Sequence, residues 1–412
     1  MGKTTSRMII SQVMELSLPG VSIVTSSKNF NSEIGLALSI LDIQTFTPTV
    51  WGSMKALFQW VSALVWSKDP DILVLEYGID WPGDMDELLS VCVPHCAIFT
   101  WLDKVHAQAF DSPDEILVEK SKLLLAAKEL VIYPWSAQYL NDILDQIEVD
   151  VLSFWTVSWE DQDIWFEQYA MMQDDGGNLL SNFVLEQGHD VITPVQSNLV
   201  WEISAAYTSI GVELAMIVWQ RLRLDFVPQE ELEFEQQPWR WSIFHADNDT
   251  VIVDSTYNAS PKSMKAAIKQ TISVRNEVFP EHELLYCIGD MNELGDFSAS
   301  AHASLAGILS QSAEHIFLSW SETLYTESEF KKIGYSPSRF DHYVHAKKLG
   351  EALREYLENH PNKKYMILAK ASQWGQFMEE AIAPLLSSEQ QSLLPRQTAL
   401  WKKKKNQYFE SF

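Results

Sequence analysis

The feature that most constrains the fold is a repeated alternation of short apolar runs with helical patterns. The chain has 412 residues. In its first half, the apolar runs lie at 21–25, 72–76, 97–100 and 130–133, and the helical patterns near 33–42, 53–66, 84–91 and 113–127. Strands that alternate with helices form mostly parallel sheets covered on both faces. The sequence therefore predicts an α/β fold.

The second half repeats this alternation after a polar and aromatic stretch at 150–195, which predicts hairpins around the turn Asp174–Gly177. A helix is expected at 198–222. The later strands are expected at 250–254, 284–288, 315–318 and 365–368, with helices near 261–275, 298–312, 344–360 and 374–386. The acidic linker at 229–237 predicts a domain boundary, giving domains at 1–237 and 238–412.

Charge and composition exclude several classes of protein. The formal net charge of −26 disfavours a nucleic-acid partner, because phosphate backbones repel such a surface. No apolar run has the roughly 18 residues of a membrane span, and no stretch reads as a signal peptide. The basic run Lys402–Lys405 reads as a solvated tail rather than as a contact to anionic lipid.

The three cysteines form no disulfide framework, which favours a reducing cytoplasm. Cys92 and Cys96 flank His95, but no second pair stands at zinc-ligand spacing. A zinc site is therefore not expected.

The chain begins with Gly2, Lys3, Thr4 and Thr5, which match the second half of a P-loop. In that loop, backbone N–H groups and a lysine bind phosphates, and a hydroxyl helps to hold Mg²⁺. Three residues also match by chance, and the Gly-rich turn of the full motif is absent from the sequence. The residues alone leave both readings open.

Glu76 ends a predicted parallel strand, where ligand sites of α/β proteins form. Its carboxylate suits Mg²⁺ beside phosphate oxygens. A helix-capping or solvent-exposed glutamate remains the alternative.

The residues that follow resemble the Mur ligase family. Glu76 precedes a Gly and then a Pro-Gly-Asp turn into a helix, and the stretch from Thr100 to His106 resembles the family's next strand-to-loop motif. The helix from Ser112 to Lys120 matches the one whose lysine is commonly carbamylated. The resemblance implies that Glu76, His106 and Lys120, together with Thr4, hold magnesium.

The strongest match is the segment from Val253 to Ala267, which resembles the Asp…Tyr-Asn-Ala-Asn-Pro-x-Ser-Met signature of D-alanyl-D-alanine-adding members. It implies that Asp254 and Asn258 serve the nucleotide. Pro261 is expected to start a helix. Ser260 replaces the family's Asn.

Further segments extend the resemblance to about residue 380. Asp290 and Glu293 lie in a Gly-Asp-Met-x-Glu-Leu-Gly motif and either face the amine substrate or cap a helix. Lys370–Gln373 and Glu379 resemble the Lys-Gly-Ser segment. Asn198 and Arg240 stand where family members have residues near the adenine and the phosphates of ATP.

The resemblance implies a P-loop-type ATPase domain with a mostly parallel sheet and a smaller Rossmann-like C-terminal domain. It implies an ATP- and Mg²⁺-dependent ligase that joins D-alanyl-D-alanine to a UDP-muramoyl tripeptide in peptidoglycan synthesis, as a cytoplasmic monomer that lacks the family's N-terminal domain. Lys3, His106 and Lys120 would be catalytic. Two alternatives stay open: a sister ligase adding another amino acid or glutamates to folate, and a non-catalytic remnant that binds nucleotide.

Tryptophan is unusually frequent. The sequence holds 16 Trp and 16 Gly, although Gly alone is normally about 7% of residues. Trp155 and Trp239 fall where the family has Gly, and the same question arises for Trp201, Trp219, Trp241 and Trp374. We hypothesise that these codons are UGA, which some genetic codes read as glycine and others as tryptophan.

Overall fold

The computed structural model describes two compact units. The described residues are 3–25, 31–41, 43, 70–100, 110, 112–154, 163–187, 190–234, 241–373 and 375–412. Among the described residues, the N-terminal unit extends to Phe234 and the C-terminal unit extends from Trp241 to Phe412. The helix predicted at 53–66 lies outside the described residues.

The N-terminal unit combines parallel strands with an antiparallel sheet. Its helices are α1 (Lys3–Ser17), α2 (Glu33–Ile40), α3 (Asp84–Val91), α4 (Pro113–Leu125), α5 (Asn141–Leu144) and α6 (Glu202–Leu222). Its strands are β1 (Ile23–Thr25), β2 (Ile72–Val74), β3 (Cys96–Ile98), β4 (Leu130–Pro134), β5 (Asp150–Phe154), β6 (Trp165–Gln173), β7 (Leu179–Gln187), β8 (Asp190–Ser197) and β9 (Glu231–Leu232). Strand β1 pairs with β2, and β3, β4 and β5 pair in order, all in parallel.

The predicted hairpins are confirmed, because β6, β7 and β8 pair antiparallel. The N–H of Gly177 donates to the carbonyl of Asp174 over 3.0 Å, and Gly177 has a φ of 84°. A positive φ favours glycine, so the turn forms where its residues predict it.

The core of this unit forms where α1 packs on α6. Ile10 and Val13 of α1 and Tyr207 and Ile210 of α6 are all buried. A Cβ atom added at Gly211 would lie 2.9 Å from Cβ of Val13. Gly211 therefore allows the two helices to approach, which fixes α1 and the residues at its start.

The C-terminal unit is built on one six-stranded sheet. Its strands are β10 (Ser242–Ala246), β11 (Thr250–Asp254), β12 (Glu283–Ile288), β13 (Ala313–Ser319), β14 (Phe340–Tyr343) and β15 (Tyr365–Lys370). Its helices are α7 (Pro261–Glu277), α8 (Ser298–Ala303), α9 (Ala306–Ser312), α10 (Leu324–Lys332), α11 (Ala346–Asn359), α12 (Glu379–Ile382), α13 (Ser388–Ser392) and α14 (Ala399–Phe409).

The strand order is β10-β11-β15-β12-β13-β14. Only the β10–β11 pair of this sheet is antiparallel. The α/β class with mostly parallel sheets is confirmed. Strands β10 and β14 and helices α10, α13 and α14 were not anticipated, and the single helix expected at 298–312 is two helices.

The reading of Lys402–Lys405 as a solvated tail is wrong for its last residue. The run lies on α14, where Lys402, Lys403 and Lys404 are exposed but Lys405 is 2% exposed. The Lys405 ammonium contacts the carboxylates of Glu379 and Glu380. The charge run thus falls on a helix with one packed face, and the lysine on that face is paired.

Within the described ranges, two tryptophans take a backbone conformation that normally requires glycine. Trp241 has a φ of 74° and Trp320 a φ of 68°. A bulky residue with positive φ is a conformational outlier. Trp201 and Trp219 have ordinary backbones, at the N-cap and within α6, whereas Trp155, Trp239 and Trp374 lie outside the described residues.

The recoding hypothesis stays a prediction, which the conformations of Trp241 and Trp320 favour. Mass spectrometry of the protein from its own host tests it directly. Glycine in the peptides that cover positions 241 and 320 is the expected result, and an indole side chain at both positions would refute it.

Candidate functional site

The N-terminal unit brings the predicted P-loop helix against the predicted metal ligand. Lys3 is the first residue of α1 and is exposed, and Thr5 is half-buried. The Thr4 hydroxyl donates a hydrogen bond to Oε1 of Glu76 over 3.2 Å, and both residues are 5% exposed. Glu76 lies two residues beyond β2, at the carboxyl end of that strand.

Arg7 completes this arrangement and was missed from the sequence. Its Nε lies 3.5 Å from Oε2 of Glu76, and its Nη1 donates to Oγ1 of Thr25 over 2.8 Å. The Thr25 hydroxyl in turn donates to the carbonyl of Val74, which links β1 to β2. A cation three residues after Thr4 on one helix face was the available signal.

The Thr4 and Glu76 oxygens fit a magnesium ion. Oε2 of Glu76 is buried and, among the described residues, accepts no hydrogen bond, although Nε of Arg7 lies 3.5 Å from it. Hydroxyl and carboxylate oxygens are the ligands that Mg²⁺ prefers beside phosphate. Lys120 lies half-buried on α4. His106, Gly2 and Arg240 lie outside the described residues, so their predicted roles stay predictions.

Asn198 holds two segments of the N-terminal unit together. Its Nδ2 donates to the carbonyl of Phe234 over 2.9 Å, and its Oδ1 accepts from the N–H of Phe234 over 3.0 Å. Both ends of the amide therefore bind the backbone at the end of the unit. Its predicted place near adenine stays a prediction.

Asp254 ends β11 and is fully buried. Its Oδ1 accepts hydrogen bonds from the N–H and the hydroxyl of Thr256, over 2.9 and 2.6 Å. Its Oδ2 has no hydrogen-bond partner among the described residues. Desolvation by burial raises the pKa of Asp254 to about 6, against the lowering effect of the Thr256 hydrogen bonds.

The next residues start α7 as predicted. Ser260 caps the helix in a capping box with Ser263, and Pro261 is its first residue. The capping role suits the serine that replaces the family's Asn. Asn258 is exposed, and its Oδ1 accepts from the N–H of Ala259 over 2.8 Å.

Lys370 joins this loop to the end of β15. Its ammonium is buried and donates to the carbonyl of Asn258 over 2.7 Å and to the hydroxyl of Ser255 over 3.1 Å. The lysine fixes the loop through its backbone, which leaves the Asn258 side chain facing outward. Two predicted motif segments thus meet through one cation.

The third motif segment follows β12 and contacts the loops after β11 and β15. Ser372 accepts from the N–H of Asn292 over 2.8 Å and donates to the carbonyl of Ala259 over 3.2 Å. Strands β11, β15 and β12 are parallel neighbours. Their carboxyl ends therefore gather the three segments at one sheet edge, where ligand sites of α/β folds lie.

Asp290 caps a turn rather than its own following helix. Its Oδ1 accepts from the N–H of Thr323 over 3.0 Å, at the start of α10. Desolvation by burial raises its pKa to about 6. Glu293 is exposed with a φ of 63°. Asp290 therefore binds the start of α10 and not the helix after its own motif, and the predicted role of Asp290 and Glu293 toward the amine substrate stays a prediction.

Among the described residues, no helix is both long enough and apolar enough to cross a membrane.

Two family profiles match the chain. The profile described as the Mur ligase middle domain covers residues 1–199. The profile described as the Mur ligase, glutamate ligase domain, covers residues 239–373. Both profiles describe parts of one family, and together they span most of the chain.

Curated relatives and solved structures agree with these profiles. The UDP-N-acetylmuramoyl-tripeptide–D-alanyl-D-alanine ligase of Bacillus subtilis is 24% identical over 393 residues, which are 94% of this chain and 74% of that protein. A crystal structure of MurF from Acinetobacter baumannii matches with a TM-score of 0.70 at 18% identity, covering 93% of this chain and 74% of that one. MurF from Thermotoga maritima in complex with ADP matches with a TM-score of 0.65 at 19% identity, covering 92% and 78%.

Proposed function

This chain belongs to the Mur ligase family, whose members are ATP-dependent ligases, and on that premise we propose that it joins D-alanyl-D-alanine to UDP-N-acetylmuramoyl-tripeptide. The relative from Bacillus subtilis carries that activity in its name. We assign residues 1–237 to an ATP-binding domain and 238–412 to a C-terminal ligase domain. The reaction belongs to peptidoglycan precursor synthesis, which places the protein in the cytoplasm.

One observation carries the proposal. The signature segment that distinguishes D-alanyl-D-alanine-adding members is held at the carboxyl edge of β11 by the 2.7 Å bond from Lys370 to the carbonyl of Asn258. This bond directs the backbone inward and the Asn258 side chain outward. The segment is thereby ordered where a ligand of the sheet edge would lie.

The start of α1 supplies a second element. Backbone N–H groups at a helix N-terminus attract phosphate oxygens, so Gly2, Lys3, Thr4 and Thr5 would hold the phosphates of ATP. A magnesium ion, bound by Thr4, Glu76, His106 and a carbamylated Lys120, would neutralise the phosphate charge. Asn198, Arg240, Asp254 and Asn258 would contact the nucleotide.

The reaction proceeds in two chemical steps. The C-terminal carboxylate of the tripeptide attacks the γ-phosphorus of ATP, and ADP leaves with the electrons of the broken bond, giving an acyl phosphate. The amine of D-alanyl-D-alanine then attacks the acyl carbon, and phosphate leaves as the amide forms and the amine loses a proton. A carboxylate approaching a polyanion needs cationic screening, which Lys3 supplies, together with in-line positioning.

Phosphate release by the purified chain tests the proposal. We expect release that needs ATP, Mg²⁺, the UDP-tripeptide and D-alanyl-D-alanine together, with a UDP-pentapeptide as product. A variant of an exposed residue, Lys332→Ala, should behave as the wild type.

Release that requires glutamate and a folate instead would assign the chain to a sister ligase. Nucleotide binding without release under any substrate pair would identify a non-catalytic remnant. Either outcome would overturn the proposal.

A further inference from the structure

Arg396 links the loops that carry the predicted site residues of the C-terminal unit, although it lies beyond the matched range 239–373. Its side chain is 7% exposed. Its backbone has a φ of 57°, which is unusual for a residue other than glycine. A conformation of this kind persists only where the surroundings enforce it.

The guanidinium spans two carbonyl oxygens at the sheet edge. Its Nη2 donates to the carbonyl of Thr256 over 3.2 Å, and its Nη1 donates to the carbonyl of Gln373 over 2.8 Å. Thr256 lies between Asp254 and Asn258 in the loop after β11. Gln373 follows Lys370 and Ser372 in the loop after β15. One planar group thus sets the distance between the two loops.

Glu379 orients this guanidinium. Its Oε1 accepts from Nε of Arg396 over 2.8 Å, and its Oε2 accepts from Nη2 over 2.5 Å. The fork is therefore bidentate, which fixes its plane as well as its position. The Phe377 ring lies 5.6 Å from the guanidinium carbon and covers one face.

A second cation balances the buried charge. The side chain of Glu379 is fully buried, and Lys405 of α14 reaches its Oε1 over 3.5 Å while also contacting Glu380. Two cations and two carboxylates thus form one network. Buried ion pairs stabilise a fold little compared with apolar packing of the same volume, so the network points to a positional role.

We propose that Arg396 is a positioning residue, which holds the loop after β11 and the loop after β15 in the separation that the ligase reaction requires. This inference rests on the proposed function for its catalytic consequence, but its structural part stands alone. Lysine keeps the charge but lacks the planar fork, so it cannot donate to both carbonyls and to both oxygens of Glu379 at once.

Hydrogen exchange of the intact protein tests the structural part. In Arg396→Lys we expect exchange at the amides of Thr256, Ala259 and Ser372 to rise at least about tenfold, because their loops lose a common anchor. Arg354→Lys is the matched control, since Arg354 lies in the same unit with an exposed pair to Glu358. Exchange unchanged in Arg396→Lys would overturn the proposal.

A second variant without an unbalanced buried charge tests whether the result of Arg396→Lys reflects misfolding. The double variant Arg396→Gln with Glu379→Gln removes one cation and one carboxylate and leaves Lys405 paired with Glu380. It should show the same rise in exchange at both loops. Protection equal to wild type in this variant would also overturn the proposal.

Kinetics test the catalytic part. We expect Arg396→Lys to lower kcat about tenfold, with the midpoint of thermal unfolding close to that of wild type. A loss of activity that only follows a loss of folded protein would indicate a structural role alone and refute positioning. If wild type itself shows no ligase activity, the proposed function fails, whereas the exchange result still decides whether Arg396 holds the loops.

Discussion

The two units hold their predicted site residues in different ways. In the described part of the N-terminal unit, Glu76 contacts one hydroxyl and one arginine, and no donor there hydrogen-bonds its Oε2. In the C-terminal unit, Glu379 is bound by Arg396 on both oxygens and approached by Lys405. The Glu76 carboxylate can still accept a bond from a ligand, whereas both oxygens of Glu379 are bound by the protein's own side chains. The comparison separates a carboxylate that we propose binds a ligand from one that we propose positions two loops.

The largest expected effect is on the C-terminal network. Glu379→Ala leaves Arg396 and Lys405 partly uncompensated in a buried place, which should lower the free energy of unfolding by about 3–5 kcal/mol. Urea denaturation measures this loss. Glu358→Ala, which removes an exposed partner of Arg354, is the control and should change it by less than about 0.5 kcal/mol. Equal effects would contradict the stabilising role of Glu379 within the buried network.

The next largest effect should appear in activity rather than in stability. Thr4→Val keeps the shape of the side chain but removes the hydroxyl beside Glu76, so we expect phosphate release to fall about 100-fold, or ~2.7 kcal/mol. The unfolding free energy should fall by only about 1 kcal/mol. Ser11→Ala is the control on the same helix, because its hydroxyl bonds only the carbonyl of Met8 in the described contacts. A large stability loss with unchanged turnover would contradict a ligand-binding role.

A smaller effect is expected in how the stability of the protein depends on pH through Asp254. Burial raises its pKa to about 6, so the folded state binds its proton more tightly than the unfolded state. The stabilisation is fully present below about pH 4 and is lost as pH rises through 6. The free energy of unfolding of Asp254→Asn should therefore exceed that of wild type by on the order of 2 kcal/mol at pH 7.5 and by little at pH 4. Parallel stability curves for the two proteins would contradict this prediction.

The smallest expected effect is on the stability of variants that replace a helix glycine in each unit. Gly211→Ala places a methyl group 2.9 Å from Cβ of Val13 and should destabilise by about 1 kcal/mol, since overpacking exceeds the gain in helix propensity. Gly307→Ala meets nothing within 4 Å and should stabilise by up to about 1 kcal/mol. Thermal unfolding monitored by circular dichroism measures both. Stabilisation by Gly211→Ala as well as by Gly307→Ala would show that the α1–α6 contact is not tight.

The sequence predicted the parts of the fold that depend on local signals. The apolar run at 250–254 and Pro261 located β11 and the start of α7, because strand pattern and helix capping are encoded within a few residues. The contact of Thr4 with Glu76 spans 72 positions and was expected only through the family motifs. Local patterns alone do not specify such a pairing.

The rest could not be predicted because it depends on contacts distant in sequence. Arg396 and Thr256 are 140 positions apart, and no motif marks the arginine. Lys405 reads as one of four equivalent lysines until α14 packs and buries its face. The positive φ of Trp320 could not be predicted either, because a single sequence does not show which residues adopt a φ above zero.

The 140 positions between Thr256 and Arg396 also impose an order of events during synthesis. At ~5–20 residues per second, a ribosome needs on the order of 10 s to reach the arginine after making the loop that it will hold. During that interval the loop after β11 lacks the bond from Arg396. The sheet edge therefore takes its working shape late, and a chain that ends before position 396 would hold its signature loop through Lys370 but without Arg396.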